Sequence, residues 1–367
     1  MSEVVIVGGG VIGLSLAYEL SSHEIDVTIL ERSALGKEAS WAGAGILPSG
    51  NPEKASHPLG QLVGHSARLM QEWSEQLQQE TAIDNGYLRC GGLELATSKN
   101  DVSELNHAVQ GWRSEGLVVE DLSEEELRKT EPALSDDVIK GCRLPDEAQL
   151  RNPRHLKALA SACLKRGVRF RTGAMVTELL TQSGRITAAK TWDGPVSGDQ
   201  FVVTSGAWSA ALLDSLEIKL KIRPVRGQMV LLRTDHVPFQ HVLLEGSCYL
   251  VPRPDGRILV GSTEDDVGFD KRTTPQGVHQ LLEFAFHLVP DLRHAHFERA
   301  WAGLRPGSED GLPYLGASSQ YSNLFVAAGH FRSGLQLSAA TAMVMTEVIL
   351  NRPPTVDLEA FSVERYS

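Results

Sequence analysis

Gly8, Gly10 and Gly13 break an otherwise apolar opening. Val4-Val5-Ile6-Val7 precedes them and Leu14-Ser15-Leu16-Ala17-Tyr18 follows, while an acid, Glu31, closes a second apolar run, Val27-Thr28-Ile29-Leu30. Residues of these types at this spacing can hold a diphosphate. Gly8 permits a tight turn, Gly10 lets a pyrophosphate approach the backbone, and Gly13 lets helix and strand pack closely. Free N–H groups at the helix start, at Val11 and Ile12, face the anion. Glu31 can accept hydrogen bonds from ribose hydroxyls, and its charge disfavours a 2′-phosphate. These residues leave FAD and NAD both open.

Such a constellation needs a strand, a turn, a helix and a second strand in that order, and the hydrophobic pattern supplies them. A small-residue stretch follows, Ala39-Ser40-Trp41-Ala42-Gly43-Ala44-Gly45, which allows a backbone to approach a bulky ligand closely. Periodicity predicts helices over 58–80, 101–114, from Asn152-Pro153 to about Lys165, 275–288 and 334–350. Ser123-Glu124-Glu125-Glu126 predicts a capping box that opens a short helix. Strands are expected over 87–96, 117–119, 168–170, 174–180 and 186–189. Phe201-Val202-Val203-Thr204 reads as a buried parallel strand that ends in a second strand–turn–helix junction at Ser205-Gly206-Ala207-Trp208. Between about 220 and 305 the runs 227–233, 241–251, 257–262 and 297–304 alternate and predict an antiparallel sheet. Leu324-Phe325-Val326-Ala327-Ala328-Gly329 returns to a strand entering a turn.

The fold class expected is α/β plus α+β. A Rossmann-like nucleotide domain, discontinuous in sequence, takes residues 1–84, 145–219 and 302–367, and an inserted antiparallel-sheet substrate domain takes 85–144 and 220–301. A chain of 367 residues can bury a large core. The net charge of -11 argues against nonspecific nucleic-acid or anionic-membrane binding. The four cysteines form no Cys-x-x-Cys pair, so neither a zinc site nor a redox dithiol is indicated. His294-Ala295-His296 would put two imidazoles on one strand face, yet no third ligand stands near in sequence, and no metal site is expected. The opening apolar stretch lacks a basic leader and is too short to span a bilayer, so a cytoplasmic protein without a membrane partner is expected.

The order of motifs carries a resemblance. Val5-Ile6-Val7-Gly8-Gly9-Gly10-Val11-Ile12-Gly13-Leu14, the small-residue stretch 39–45, Trp301-Ala302-Gly303-Leu304-Arg305-Pro306 and Ala328-Gly329-His330-Phe331-Arg332-Ser333-Gly334 resemble the D-amino-acid oxidase/glycine oxidase family of flavoproteins. The resemblance covers nearly the whole chain. It implies a noncovalent FAD with its adenine-ribose half on Gly8, Gly10, Gly13, Glu31 and Arg32, and Ser40, Gly43, Ala44 and Gly45 along the flavin. Val176 matches a backbone contact to adenine, Gly206 is counted with the cofactor contacts, and Gly329, His330, Phe331, Arg332, Ser333, Gly334 and Leu335 would sit at the flavin's pyrimidine edge. Arg305 matches the arginine that clamps a substrate carboxylate, Tyr249 the tyrosine that hydrogen-bonds the same group, and Arg332 an arginine beside the active site. Independently, an α-carboxylate calls for a planar bidentate donor, which arginine supplies and lysine does not.

The activity implied is oxidative deamination of glycine or another small amino acid, with oxygen as acceptor and hydrogen peroxide, ammonia and an oxo acid as products. The imine is a possible feed for thiamine thiazole synthesis, and a homo-oligomer is expected. Alternatives are a related dehydrogenase with a quinone acceptor and a non-catalytic FAD-binding subunit. Two departures from the family pattern concern substrate preference. Ser247 stands where a histidine can occur, and Glu264-Asp265-Asp266 follows Gly261-Ser262-Thr263 where an apolar residue is common. The acidic run reads as a solvated turn; turned toward the flavin, Glu264 would attract a cationic amine.

Overall fold

The computed structural model describes residues 3–366. Glu3–Val7 lies at the middle of a six-stranded sheet because it is apolar on both faces. It pairs in parallel with Asp26–Glu31 on one side and Gln200–Val203 on the other. Arg169–Thr172 extends the first side, while Leu324–Ala328 and then the antiparallel Tyr314–Ala317 extend the second. Segments far apart in sequence are therefore neighbours in one sheet, as the discontinuous pattern predicts. Helices Val11–Leu20, Pro58–Thr81, Asn152–Lys165 and Gly334–Ile349 bury one face of it. A three-stranded antiparallel layer, Glu178–Gln182, Arg185–Thr191 and Gly194–Ser197, contributes to the core on the other face.

The second sheet has eight strands, built around the long antiparallel pair Ile222–Arg233 and His296–Ser308. Alternation along Met229-Val230-Leu231-Leu232 explains its continuous apolar run. Val230 and Leu232 pack with helix Pro275–Leu288 on the back, and Met229 and Leu231 pack with Ala44 and Trp301 on the front. One transverse row crosses all eight strands: Asp121, Cys142, Glu94, Leu244, Tyr249, Gly261, Met229 and Trp301. Paired residues share a face, so Tyr249, Met229 and Trp301 look the same way, and Arg305 joins them four residues beyond Trp301 on its own strand. That front face meets the small-residue stretch. Trp301 Nε1 donates to the Ala42 carbonyl at 3.0 Å, and Gly303 lies so close that a Cβ would stand 2.6 Å from Ala42 Cβ.

Several boundaries differ from expectation. The run 241–251 is a hairpin, Val242–Glu245 and Cys248–Pro252, with Ser247 in its turn. The strand expected at 87–96 starts at Gly92, that at 117–119 lies at Glu120–Leu122, and that at 174–180 starts at Glu178. His294 closes a 3-10 turn before His296 opens a strand, so the two imidazoles do not share a strand face. Among the described residues no cluster of metal-ligating side chains occurs, and no helix is long and apolar enough to cross a membrane.

Candidate active site

A cavity of about 400 Å³ runs between the first glycine turn and the Arg305 region. Its wall includes Gly8, Gly10, Val11, Ile12, Glu31, Arg32, Ser40, Gly43, Val176 and Gly206 from the sequence-derived set. It also includes Arg305, Gly329, His330, Phe331, Arg332, Gly334 and Leu335. At one end, Gly8 holds φ at 121°, and a Cβ there would stand 2.5 Å from the Thr204 carbonyl oxygen. Thr204 Oγ1 donates to the Gly8 carbonyl at 2.8 Å, tying the two strand ends together. Helix Val11–Leu20 starts with no side-chain cap; the Val11 N–H donates to Ser40 Oγ at 2.9 Å, and the rest of the first turn is open to an anion.

Glu31 is buried with its carboxylate largely engaged. Oε2 accepts from the Gly9 N–H at 2.8 Å, and Oε1 accepts from the Ser33 N–H and hydroxyl at 2.9 and 3.1 Å. The acid thus shapes the glycine turn itself, a role its position at a strand end did not disclose. The Arg32 guanidinium carbon stands over the Trp208 ring, 3.4 Å from its centroid, and the side chain pairs with Glu38 at 2.7 Å.

Five residues of the sequence-derived set are not on this wall. Gly13 faces the strand, where a Cβ would stand 2.0 Å from the Gly8 carbonyl oxygen, which is the close packing expected of it. Gly45, at φ 81°, is pressed on the Leu150 carbonyl, and the Ala44 carbonyl accepts from buried Arg253 at 2.5 Å. The Ser333 N–H donates to His330 O in the 3-10 turn before the last helix. The Tyr249 ring covers Gly261, where a Cβ would stand 2.6 Å away, and its hydroxyl donates to Met229 Sδ at 3.4 Å.

At the other end, the Arg305 guanidinium rests over Gly227; a Cβ there would stand 2.2 Å from Nη1. Nη1 donates to the Thr263 carbonyl at 3.1 Å and Nη2 to Ser262 Oγ at 2.6 Å. These contacts fix the planar fork and leave further N–H groups for an incoming carboxylate. Arg332, also on the wall, pairs with Glu264. The acidic turn is not simply solvated. Asp265 pairs with Arg226 at 3.0 Å and Asp266 with Arg223, so each of its three acids has an arginine. His330 is buried against Thr341, 3.1 Å from its hydroxyl, and burial pushes its imidazole down to about 3, so it stays neutral.

Pattern reading missed Asn152, which stands on the wall with Nδ2 donating to the Ser40 carbonyl at 2.8 Å while its buried Oδ1 has no partner. Only its place at a helix start was visible. It also missed Thr204 and Trp208, whose roles depend on strands and loops far apart in sequence. The wall fits FAD: an open helix start and a left-handed glycine for the diphosphate, and small residues at Ala39, Ser40 and Gly43 where a wide ring system needs room. The uncapped start of helix Gly334–Ile349 adds a second positive pole at the Arg305 end.

The DAO family, described as FAD dependent oxidoreductase, matches residues 3–348. A glycine oxidase of Geobacillus kaustophilus is 35% identical over 99% of this chain and 97% of its own length. The crystal structure of glycine oxidase from that organism superposes with a TM-score of 0.95 at 34% identity, covering 100% of both chains. A bifunctional protein ThiO/ThiG of Synechocystis sp. is 36% identical over 100% of this chain, which spans 54% of that longer protein. The structure of an iminodiacetate oxidase from Chelativorans sp. superposes with a TM-score of 0.88 at 27% identity, covering 98% of each chain. The chain belongs to the DAO family and is an FAD-dependent oxidoreductase.

Proposed function

We propose that this protein oxidises a small amino acid, glycine first among them, to the corresponding imine and thence to an oxo acid and ammonia, with oxygen reduced to hydrogen peroxide. The observation that carries this reading is the Arg305 guanidinium. It is seated over Gly227 and anchored on Thr263 and Ser262, in the same cavity as the diphosphate-type glycine turn. FAD, when bound, supplies the acceptor for a hydride from the substrate α-carbon. The chain's own residues do the rest. Arg305 takes the substrate carboxylate bidentately and so fixes which way the α-carbon points. Tyr249, on the same sheet face, is assigned to orient that carboxylate through its hydroxyl, which would leave Met229 Sδ to do so. Neutral His330 adds no charge to the wall, and the start of helix Gly334–Ile349 favours added electron density nearby. The substrate amine must be neutral at that moment, since its lone pair becomes the imine bond.

The glycine oxidase relatives support the substrate class, and the ThiO/ThiG relative supports a link to thiamine biosynthesis through the imine. The test is stoichiometry. Purified protein given glycine in air is expected to form one hydrogen peroxide and one glyoxylate per glycine consumed. Reduction of an added quinone with no peroxide would assign the electrons elsewhere, and no product from any small amino acid would refute the reading.

A further inference from the structure

Among the three acids after Thr263, Glu264 alone is paired with an arginine of the cavity wall. Its neighbours are committed elsewhere: the Thr263 carbonyl holds Arg305, and the Asp265 carboxylate takes bonds from Arg226, Gln228 and Thr263. The backbone on both sides of Glu264 is therefore pinned, and its carboxylate is held against the Arg332 guanidinium. Glu264 itself is not on the wall, whereas Arg332 is. The substrate end thus presents two guanidinium groups, one of which already has its counter-charge.

Resting on the amino-acid-oxidation reading above, we propose that Glu264 is a positioning residue that sets charge selectivity. By occupying Arg332 it leaves Arg305 as the one open carboxylate site and disfavours substrates that carry a second carboxylate. A dicarboxylic N-substituted glycine would place its second anion at Arg332. There it must displace the Glu264 carboxylate or lie beside it, and either costs free energy. Capture of cationic amines is the weaker use of this acid, because its charge is turned onto Arg332 and not into the cavity. The pair is about two-fifths exposed on both sides, 42% and 40%, so water and salt reach it and the discrimination is moderate and salt-sensitive.

The test compares wild type, Glu264→Gln and Glu264→Asp with sarcosine and iminodiacetate, two N-substituted glycines that differ in the second carboxylate. The expected result is a rise of about fivefold in the iminodiacetate-to-sarcosine ratio of kcat/KM in Glu264→Gln, mainly through KM for iminodiacetate. Glu264→Asp should return the ratio toward wild type. Added salt should raise the ratio in wild type more than in Glu264→Gln, a response that a purely structural role would not produce. An unmoved or lowered ratio in a protein that oxidises sarcosine overturns the assignment of Glu264 alone. A protein that oxidises neither glycine nor sarcosine overturns the parent reading and this assignment with it.

Discussion

Arg305 owes its place to what is missing beside it. Glycine at 227 leaves the room its guanidinium fills, and the Thr263 carbonyl and Ser262 hydroxyl hold two of its nitrogens. Gly227→Ala is expected to raise KM for glycine about tenfold while the protein stays yellow, because a Cβ would push the fork aside without touching the nucleotide end. Saturation curves and visible spectra of the purified variant check both halves. Arg305→Lys keeps the charge and loses the planar fork, and KM is expected to rise by about 10- to 100-fold. A lysine variant that saturates like wild type would remove the clamp. Leu304-Arg305-Pro306 singled out this arginine only through the family resemblance, and its seat over Gly227 was not legible in the sequence. The partner of Glu264 could not be picked out either, since Arg332 stands in a short 3-10 turn far along the chain that only the tertiary fold brings alongside.

At the scale of elements, the glycine turn joins strands Glu3–Val7, Asp26–Glu31 and Gln200–Val203 through the contacts of Gly8 with Leu30 and Thr204. Gly8→Ala adds a Cβ 2.5 Å from a backbone oxygen at a left-handed φ, which backbone cannot easily yield. The expected outcome is protein that purifies with little flavin absorbance relative to its absorbance at 280 nm or fails to accumulate; a fully yellow variant would contradict the role given to this turn. Long periodic elements were legible for a physical reason. Pro275–Leu288 and Asn152–Lys165 begin with Pro in the first turn and bury one stripe, so local sequence and tertiary packing agree. Short elements were not. The hairpin at 242–252 turns on Gly246-Ser247 between flanks that are apolar enough to read as one strand, and Ile46–Leu47 is a strand only because Ala148–Gln149 pairs with it. The same limit applies to Tyr249, which lay within a foreseeable strand run but whose sheet face and seat on Gly261 require the neighbouring strands.

Across the whole molecule, the two large sheets meet where the cavity opens, and we assign the six-stranded side to the cofactor and the front of the eight-stranded side to the substrate. That front row carries a liability. Glu94 stands in the same row as Tyr249, and burial pushes its carboxyl up to about 7. Glu147 packs on Gly92 with Oε2 unpartnered, and burial, with Glu94 adding to it, pushes its carboxyl up to about 8. Both folded values lie above the ordinary carboxyl value of 4.5, so the native state binds the extra protons. Their contribution to stability is whole below that value and is lost as pH rises through about 7 and 8. Glu147→Gln is expected to reduce the fall in Tm between about pH 6 and 9 by roughly 2 °C or more. Equal slopes for variant and wild type in a thermal-melt series would contradict this. The central claim, that one cavity brings an amino-acid carboxylate on Arg305 to a bound flavin, is tested most directly by anaerobic titration of the purified protein with glycine while the visible flavin band is recorded. The account predicts that the band bleaches in wild type and returns when air is admitted, with far more glycine needed in Arg305→Ala. A flavin band that glycine, sarcosine and both alanine enantiomers leave unchanged would contradict it.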